Sequence, residues 1–167
     1  MKKIVFSLSI VAIFASLIAF AVYSQYQLRQ EPVVYSFDIQ TEDFSINDIV
    51  LVAYPNSLYV AGNYYLEMIG DNKQFDGIGF ELSIRERSIM SLSQAGHQFD
   101  LPHAAAGKIY VDSYGVLNGI TIRKNDIVDV DIRYNINGRA KKVVGEIKLI
   151  DVVKPFSSTG DRAPIIL

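Results

Sequence analysis

Residues 126–138 have the sequence DIVDVDIRYNING, and this stretch decides the class of fold. Apolar side chains occupy every second position from Val128 to Ile136, and mostly polar side chains fill the positions between them. A period of two puts one set on a buried face and the other on a solvent face, which predicts a half-buried β-strand. Asn137-Gly138 follows, the dipeptide best suited to a type I′ hairpin turn. We therefore predict a hairpin, with Val143–Val153 as the return strand and Gly145 as a candidate bulge.

Short strands of the same kind are predicted along most of the chain before this hairpin. Their boundaries are set by alternation and by Pro, Gly and Asn turn signals. The stretch Ser88–His103 is the least regular, and the sequence leaves a loop or a single helical turn open there. The fold class is thus mainly β: one β domain over residues 33–154, with residues 155–167 as a C-terminal tail. The upstream strands are Val33–Gln40, Ile49–Tyr54, Leu58–Ala61, Tyr64–Ile69, Ile78–Arg85, Lys108–Asp112 and Ile120–Arg123.

The N-terminal segment has the composition of a membrane helix. Residues 4–28 contain no charged side chain, and the run Ile4–Tyr23 is interrupted only by three serines. Twenty residues of helix span about 30 Å, the thickness of the hydrocarbon core of a bilayer. Lys2 and Lys3 precede the run, so everything after it is expected on the far side of the membrane. Residues 1–24 are therefore either a retained transmembrane anchor or a signal peptide cleaved near Ala19-Phe20-Ala21.

Composition excludes several classes of protein. Half of the 167 residues are hydrophobic, which excludes a disordered chain. The formal net charge of -2 argues against a nucleic-acid binder, which needs a basic surface. The chain has no Cys and two His, so disulfides, thiol catalysis and cysteine metal sites are excluded and a histidine site has few donors. Residues 25–32 are polar, end in Pro32 and are expected to be a linker.

No candidate catalytic set survives inspection, and no cofactor site is predicted. Asp126, Asp129 and Asp131 could suggest calcium, but calcium needs six to eight oxygens converging from a loop, whereas Asp129 and Asp131 lie on the outward face of a strand. A catalytic triad from Ser91 or Ser93 with His97 and Asp100 lacks a nucleophile elbow and a Gly-rich oxyanion loop. The alternative interpretation of the aspartates is a solvated strand face that discourages edge pairing.

The densest aromatic group consists of Tyr54, Tyr59, Tyr64 and Tyr65. Aromatic platforms bind glycans and partner proteins, yet tyrosine is also an ordinary strand residue. We expect most of these side chains in the core or on a sheet surface, and we keep Tyr59 and Tyr64 as candidate contacts for a partner. The other candidate partner-binding residues come from the predicted hairpin: Asp126, Asp129, Asp131 and Arg133.

The order of segments in the C-terminal third adds a resemblance. Lys108–Asp112, Gly115-Val116, Gly119-Ile120, Lys124–Val130 and Ile147–Val153 follow one another. This resembles the periplasmic region of Flp (tight-adherence) pilus assembly proteins of the RcpC/CpaB family. There a valine- and aspartate-containing strand precedes a G-V-x-G step, a P-G-D-x-V-D-V turn and strand, and an L-L-x-N-V-x-V-L strand. Lys124-Asn125-Asp126 stands where the family has Pro-Gly-Asp, and Asn tolerates the left-handed conformation such a turn requires.

A fainter similarity lies upstream. Asp38-Ile39 and Asn47-Asp48-Ile49 resemble that family's D-I-P-A-G-T-x-L-T-x-D-D-L segment, part of a SAF-like β-clip module, although Gln40-Thr41-Glu42 replaces Pro-Ala-Gly. The hairpin Asn137-Gly138-Arg139 with Gly145 is also similar to flagellar P-ring chaperones of the FlgA type. The pilus resemblance implies a β-clip domain with a C-terminal hairpin, held at the bacterial inner membrane by residues 4–23 and lying in the periplasm.

The resemblance also implies the function. The chain would be a non-enzymatic scaffold of a Flp/Tad-type pilus assembly or secretion machine, with partners such as an outer-membrane secretin and no nucleic acid. Its contacts would come from strand edges and from the hairpin face over residues 126–136. Two alternatives stay open: a periplasmic inhibitor or immunity protein using Ser88–His103 as a protruding loop, and a glycan or cell-wall binding β module using the tyrosines between residues 54 and 65.

Overall fold

The structure, a computed structural model, describes residues 2–28, 31–70, 75–95, 107–112, 114–154 and 165–166. The chain divides into two compact units, residues 1–31 and 32–167. The first contains α1 (Lys2–Leu28), which extends beyond the apolar run into the predicted linker. Side chains are described for residues 12–25 of this helix. Over the described residues, no helix is long and apolar enough to cross a membrane, and the anchor stays a prediction.

The second unit is built from β-strands, which confirms the mainly-β class. Hydrophobic alternation explains the long ones: β9 buries every second side chain from Val128 to Ile136, as the sequence predicts. The described strands are β1 (Val33–Gln40), β2 (Phe44–Tyr54), β3 (Ser57–Val60), β4 (Tyr64–Met68), β5 (Phe75–Ile84), β6 (Arg87–Ala95), β7 (Lys108–Val111), β8 (Gly115–Asn118), β9 (Ile127–Ile136), β10 (Arg139–Lys148), β11 (Val153–Lys154) and β12 (Ile165–Ile166). A 3₁₀ turn, Leu149–Val152, connects β10 to β11.

The strands form two sheets. Sheet A has the order β11-β1-β2-β3-β8 and forks at β2, whose first half pairs with β4 and through it with β7. Sheet B has the order β10-β9-β5-β6. All of these pairs are antiparallel, and β12 adds a parallel pair with the end of β1. The β9–β10 turn has φ values of 51° at Asn137 and 70° at Gly138, which confirms the predicted hairpin.

The inner faces of the two sheets share one hydrophobic core. Phe44 of β2 meets Phe75 of β5 and Tyr134 of β9 in edge-to-face contacts, with ring centroids 5.5 Å and 5.0 Å apart. Tyr64 of β4 meets Phe80 of β5 in the same geometry at 5.8 Å. Such pairs add to the free energy gained from burying the rings, so these aromatic contacts join sheet A to sheet B.

Two predicted strand boundaries and one predicted bulge are wrong. The strand predicted to begin at Ile49 begins at Phe44, because Asp48 forms a bulge inside β2, where it has φ 64° and its N–H donates to Asp38 Oδ1 at 2.7 Å. The segment Ile120–Arg123 buries alternate side chains but joins no ladder, and the strand lies earlier, at β8. The predicted bulge at Gly145 is absent, since the β9–β10 register is continuous.

The structure also differs from the sequence-based expectations for the stretch Ser88–His103 and for the C-terminal tail. Residues 88–95 of the supposedly irregular stretch Ser88–His103 form most of strand β6, and residues 96–103 lie outside the described residues. The predicted tail contributes β12, whose Ile165 pairs with Ile39 of β1, so the sheet extends beyond residue 154. Segments without a strong period-two pattern of their own can therefore form strands in this domain, because neighbouring strands supply their hydrogen-bond partners.

Candidate binding surfaces

The outward face of sheet B carries three of the predicted partner-binding residues. Alternation along β9 directs Asp129, Asp131 and Arg133 away from the core. The ladders place Asp131 between Glu81 of β5 and Val144 of β10. Asp129 in turn lies opposite Glu146 of β10. Register alone therefore assembles carboxylates from three strands on one face.

All of these residues except Arg133 line a shallow groove with a volume of about 540 Å³. Its acidic lining comes from β5, the β5–β6 turn, β9 and β10, and Val144, 64% exposed, supplies an apolar wall. Within the described residues, no group of three or more Asp, Glu or His side chains is arranged to hold a metal ion. The groove therefore offers negative charge spread over several ångströms, which suits an extended cationic partner better than a single ion. The acidic side chains are Glu81, Glu86, Asp129, Asp131 and Glu146.

The charge in this groove is partly neutralised on one side. Arg133 donates to both carboxylate oxygens of Asp131 at 2.9 Å, and Lys142 Nζ lies 3.2 Å from the same carboxylate. The hydrogen bonds from Arg133, with a smaller contribution from Lys142, hold the pKa of Asp131 below its ordinary value. In the described part of the chain, Glu86, Asp129 and Glu146 make no such ion pair, so their charges stay available to a partner.

Asp126 has a structural role at the corner between β8 and β9. Its Oδ2 accepts a hydrogen bond from Arg85 Nη2 at 2.6 Å and another from the N–H of Arg123 at 2.8 Å. Its side chain is 17% exposed. Arg85 and Glu86 form the β5–β6 turn with φ values of 51° and 64°, a left-handed conformation that disfavours side chains. The ion pair holds this turn, so Asp126 is a poor candidate for a direct partner contact.

The outward face of sheet A is aromatic. Tyr59 is half-buried there, between Val52 of β2 and Val116 of β8 in the ladder. Tyr65 lies against Tyr110 of β7, with ring centroids 5.4 Å apart. Lys108 Nζ stands 4.4 Å from the centroid of the Tyr65 ring.

Tyr64 does not belong to this surface. Its side chain points to the core and is 0% exposed, so our prediction that it contacts a partner is wrong in this conformation. Neighbouring residues of a strand face opposite sides, which is why Tyr64 and Tyr65 separate although they are adjacent in sequence. Burial raises the pKa of Tyr64 to about 12.

Several surface residues were not predicted. Glu81, Glu86 and Glu146 complete the groove, and Tyr110, 67% exposed, extends the aromatic face. Period-two alternation does indicate that Glu81 and Glu146 point outward. The predicted hairpin brings Glu146 beside Asp129, whereas Glu81 reaches Asp131 through the pairing of β5 with β9, which joins positions fifty residues apart and leaves no local signal.

A polar cluster at the interface of the sheets was also missed. Asp43, in the β1–β2 turn, accepts hydrogen bonds at its Oδ2 from Tyr134 OH at 2.8 Å and Lys141 Nζ at 2.6 Å. Burial, followed by the bond to Asp43, raises the pKa of Tyr134 to about 12. The hydrogen bond to Asp43, then that to Glu42, raises the pKa of Lys141 as well. A lysine held in its charged form is a poor nucleophile or base, so this cluster ties the β1–β2 turn to sheet B rather than offering reactive groups.

Comparison with known proteins adds no relative to this picture. No protein-family model matches the chain, and neither a curated protein nor a solved structure matches it. The class defined by the fold and its surfaces is therefore a two-sheet β protein with an acidic groove on one outward face and an aromatic outward face on the other sheet.

Proposed function

We propose that this chain is a non-enzymatic binding protein whose acidic groove on sheet B receives a basic segment of a partner protein. The observation that carries the proposal is the convergence of the five carboxylates on one groove, three of them without an ion pair in the described residues. Opposite charge across an interface accelerates encounter and fixes the register of the partner. Val144 would give the groove an apolar contact that charge alone does not supply.

The setting that we propose is extracytoplasmic, with α1 as a membrane anchor. Every described side chain from Ala12 to Tyr23 is exposed, and most of them are apolar. A helix that is apolar on all sides needs a lipid or protein environment to cover it. The positively charged start at Lys2 and Lys3 supports an orientation with the β domain in the periplasm.

The machine that we propose is a Flp/Tad-type pilus assembly or secretion apparatus, in which the chain acts as a scaffold and an outer-membrane secretin is a candidate partner. Its support is the resemblance of residues 108–153 to RcpC/CpaB proteins. The strands that follow Asp126 are ten residues long and form a plain hairpin, so the β-clip part of this proposal rests on the sequence resemblance. The coarser proposal, a binding protein with an acidic groove, does not depend on the machine.

The test uses deletion of the gene in its own host, with surface pili and secreted pilin as readouts. Full-length wild-type chain should restore pili, and residues 25–167 alone should not, because they lack the segment that would direct the β domain across the membrane. A second complementation uses Asp129→Asn with Glu146→Gln, which removes two facing charges without changing side-chain shape. We expect this variant to reach wild-type levels in the cell and to lose pili and secretin capture.

The matched control removes the same number of charges elsewhere, by Asp112→Asn with Asp151→Asn, both at exposed positions. It should behave as wild type. Unchanged pili in the deletion strain would refute the machine. Full activity of the groove variant in a strain that needs the gene would refute the groove as the binding site.

A second candidate function, glycan or cell-wall binding, is favoured by the aromatic face of sheet A. Tyr54, Tyr65 and Tyr110 are at least partly exposed there, and aromatic rings stack on sugar faces. Sedimentation with purified peptidoglycan tests it. Tyr65→Ala with Tyr110→Ala should abolish the sedimentation that the groove variant leaves intact. Of the loop that the inhibitor alternative uses, residues 88–95 form a strand and residues 96–103 lie outside the described residues, so this alternative stays a prediction.

A further inference from the structure

The half of sheet A that contains Tyr65 and Tyr110 presents two rows of outward side chains. In this half the strands lie in the order β1-β2-β4-β7. The two rows are two residues apart along the strands, a separation of about 7 Å. An aromatic row therefore lies beside a row of hydrogen-bonding side chains. The register gives the first row as Asn47, Tyr65 and Tyr110, and the second as Gln40, Ser45, Glu67 and Lys108.

The aromatic row has one ring covered by a cation and one ring exposed. The planes of Tyr65 and Tyr110 are inclined at 44°. Lys108 Nζ stands over the Tyr65 ring, whereas Tyr110 is 67% exposed. The face of an aromatic ring is negative and attracts the slightly positive C–H groups of a sugar ring. Tyr110 therefore offers a stacking surface with an ammonium group at its border.

The polar row contains a donor and an acceptor side by side. Lys108 Nζ lies 3.6 Å from Glu67 Oε2, which is longer than a hydrogen bond, and the side chains are 29% and 40% exposed. An ammonium has three donors and a carboxylate accepts several hydrogen bonds, so both groups can bind a ligand as well. Neighbouring substituents on a pyranose ring can bridge such a pair: one donates to Glu67 and the other accepts from Lys108.

The same pair argues against other classes of ligand. An apolar partner would remove water from both charges without replacing their hydrogen bonds. Glu67 repels an anionic sugar, and Lys108 repels a cationic one. Gln40 and Ser45, in the same row, carry no charge. Among these classes, an uncharged glycan is the one that matches both rows.

We propose that this half of sheet A binds an uncharged, N-acetylated, β-1,4-linked glycan strand of the cell-wall type, with one sugar ring on Tyr110. Glu67 and Lys108 select against charged sugars. The acetamido N–H and the neighbouring hydroxyl supply the donor and the acceptor that this pair requires. The polar row crosses four strands, about 14 Å, so it can contact more than one sugar ring. The inference rests on the second candidate function, glycan or cell-wall binding, and adds the sugar class and the selecting residues.

The stacking part is tested by isothermal titration calorimetry of the full-length chain in a detergent without sugar groups. The ligands are chitohexaose and its C6-carboxylated derivative, which share one backbone. We expect wild-type chain to bind chitohexaose more tightly than the carboxylated hexamer. Tyr110→Ala should weaken chitohexaose binding about three- to tenfold, and Tyr110→Phe, which keeps the ring, should bind as wild type does. Tyr114→Ala, at a 73% exposed position outside the two rows, is the control.

The selection part is tested with Glu67→Gln, which leaves the Lys108 charge uncompensated. This variant should raise the affinity for the carboxylated hexamer relative to chitohexaose by about fivefold. Glu31→Gln makes the same change at an exposed position before β1 and should leave the ratio unchanged. Circular dichroism and melting temperature confirm that each variant is folded.

The outcomes separate this inference from the function on which it rests. Equal binding of both hexamers by wild-type chain, or an unchanged ratio in Glu67→Gln, would overturn the inference and leave glycan binding standing. Sedimentation with peptidoglycan without binding of chitohexaose would do the same, as would equal losses from Tyr110→Ala and Tyr114→Ala. Failure to bind either hexamer or peptidoglycan would refute both the inference and the second candidate function.

Discussion

Two buried tyrosines, Tyr134 and Tyr64, can each be replaced by phenylalanine, and we expect the two replacements to change the free energy of unfolding in opposite directions. Tyr134 donates its hydroxyl to Asp43 Oδ2 at 2.8 Å, while the hydroxyl of Tyr64 is buried and has no hydrogen-bond partner in the described residues. Both rings lie in the same core, and burial is the main cause of the raised pKa of each. Replacement by phenylalanine removes one oxygen in either case and leaves the ring.

The expected magnitudes follow from the two environments. Tyr134→Phe removes a hydrogen bond to a charged, buried carboxylate, which should reduce the free energy of unfolding by about 1.5–3 kcal/mol. Tyr64→Phe removes a hydroxyl that is desolvated without compensation, which should increase the free energy of unfolding by about 1 kcal/mol. The two variants should therefore differ by about 3 kcal/mol, or roughly 10 °C in melting temperature.

The assay is urea and thermal unfolding of the full-length chain in mild detergent, followed by circular dichroism in the β-sheet band. The single variant Asp43→Ala and the double variant Asp43→Ala with Tyr134→Phe complete a double-mutant cycle that separates the Tyr134–Asp43 hydrogen bond from other effects of either change, whereas Asn at position 43 would keep an acceptor oxygen. Equal destabilisation by Tyr64→Phe and Tyr134→Phe would refute the reasoning, because it would show that the Tyr64 hydroxyl makes a hydrogen bond that stabilises the fold as much as the Tyr134–Asp43 bond does.

Three further predictions concern pH, a turn and the core. The pKa values of Tyr64 and Tyr134 are raised from 10.0 to about 12, so the folded state binds the two phenolic protons more tightly than the unfolded state does. The stability that this difference contributes should be fully present below about pH 10 and should be lost between about pH 10 and 12. Urea midpoints measured with phenolate absorbance across that range check this, and a flat profile would contradict it. Gly138→Ala should lower the free energy of unfolding by about 1–2 kcal/mol, since an added Cβ meets no atom within 4 Å and only the φ of 70° is strained; chemical denaturation measures it, and a neutral result would count against the turn assignment. Val130→Asp should abolish the cooperative transition, because its 2% exposed side chain would become an unpaired buried carboxylate; a retained transition would mean that the inward and outward faces of β9 are reversed.

Much of the fold follows from local pattern. The alternation from Val128 to Ile136 and the Asn137-Gly138 turn define β9 and its hairpin because a half-buried strand has a strict period of two. The outward position of Asp129, Asp131 and Arg133 follows from the same period. The groove that contains the two aspartates does not follow from it, because the groove requires the pairing of β9 with β5, which only the packed sheet determines.

The second hairpin of sheet B illustrates why other parts were missed. Its turn is Arg85-Glu86, both with positive φ, where Asn or Gly would be the usual signal. A register shift between Leu82 and Ser83 also breaks the alternation, so Ile89 and Met90 are buried side by side. Hydrogen bonds from Arg85 to Thr121 O and Asp126 Oδ2 offset the strain of the turn, and these partners lie 36 and 41 positions away.

The position of β1 has a consequence for the order in which the domain folds. One side of β1 pairs with β2, which follows it directly in the chain, whereas the other side pairs with β11 and β12. Val34, for example, pairs with Lys154, which lies 120 positions further along the chain. Contacts between residues so distant in sequence form slowly, because the intervening chain must first be ordered. During synthesis, one side of β1 therefore has no partner strand until residues 153–154 and 165–166 have been made.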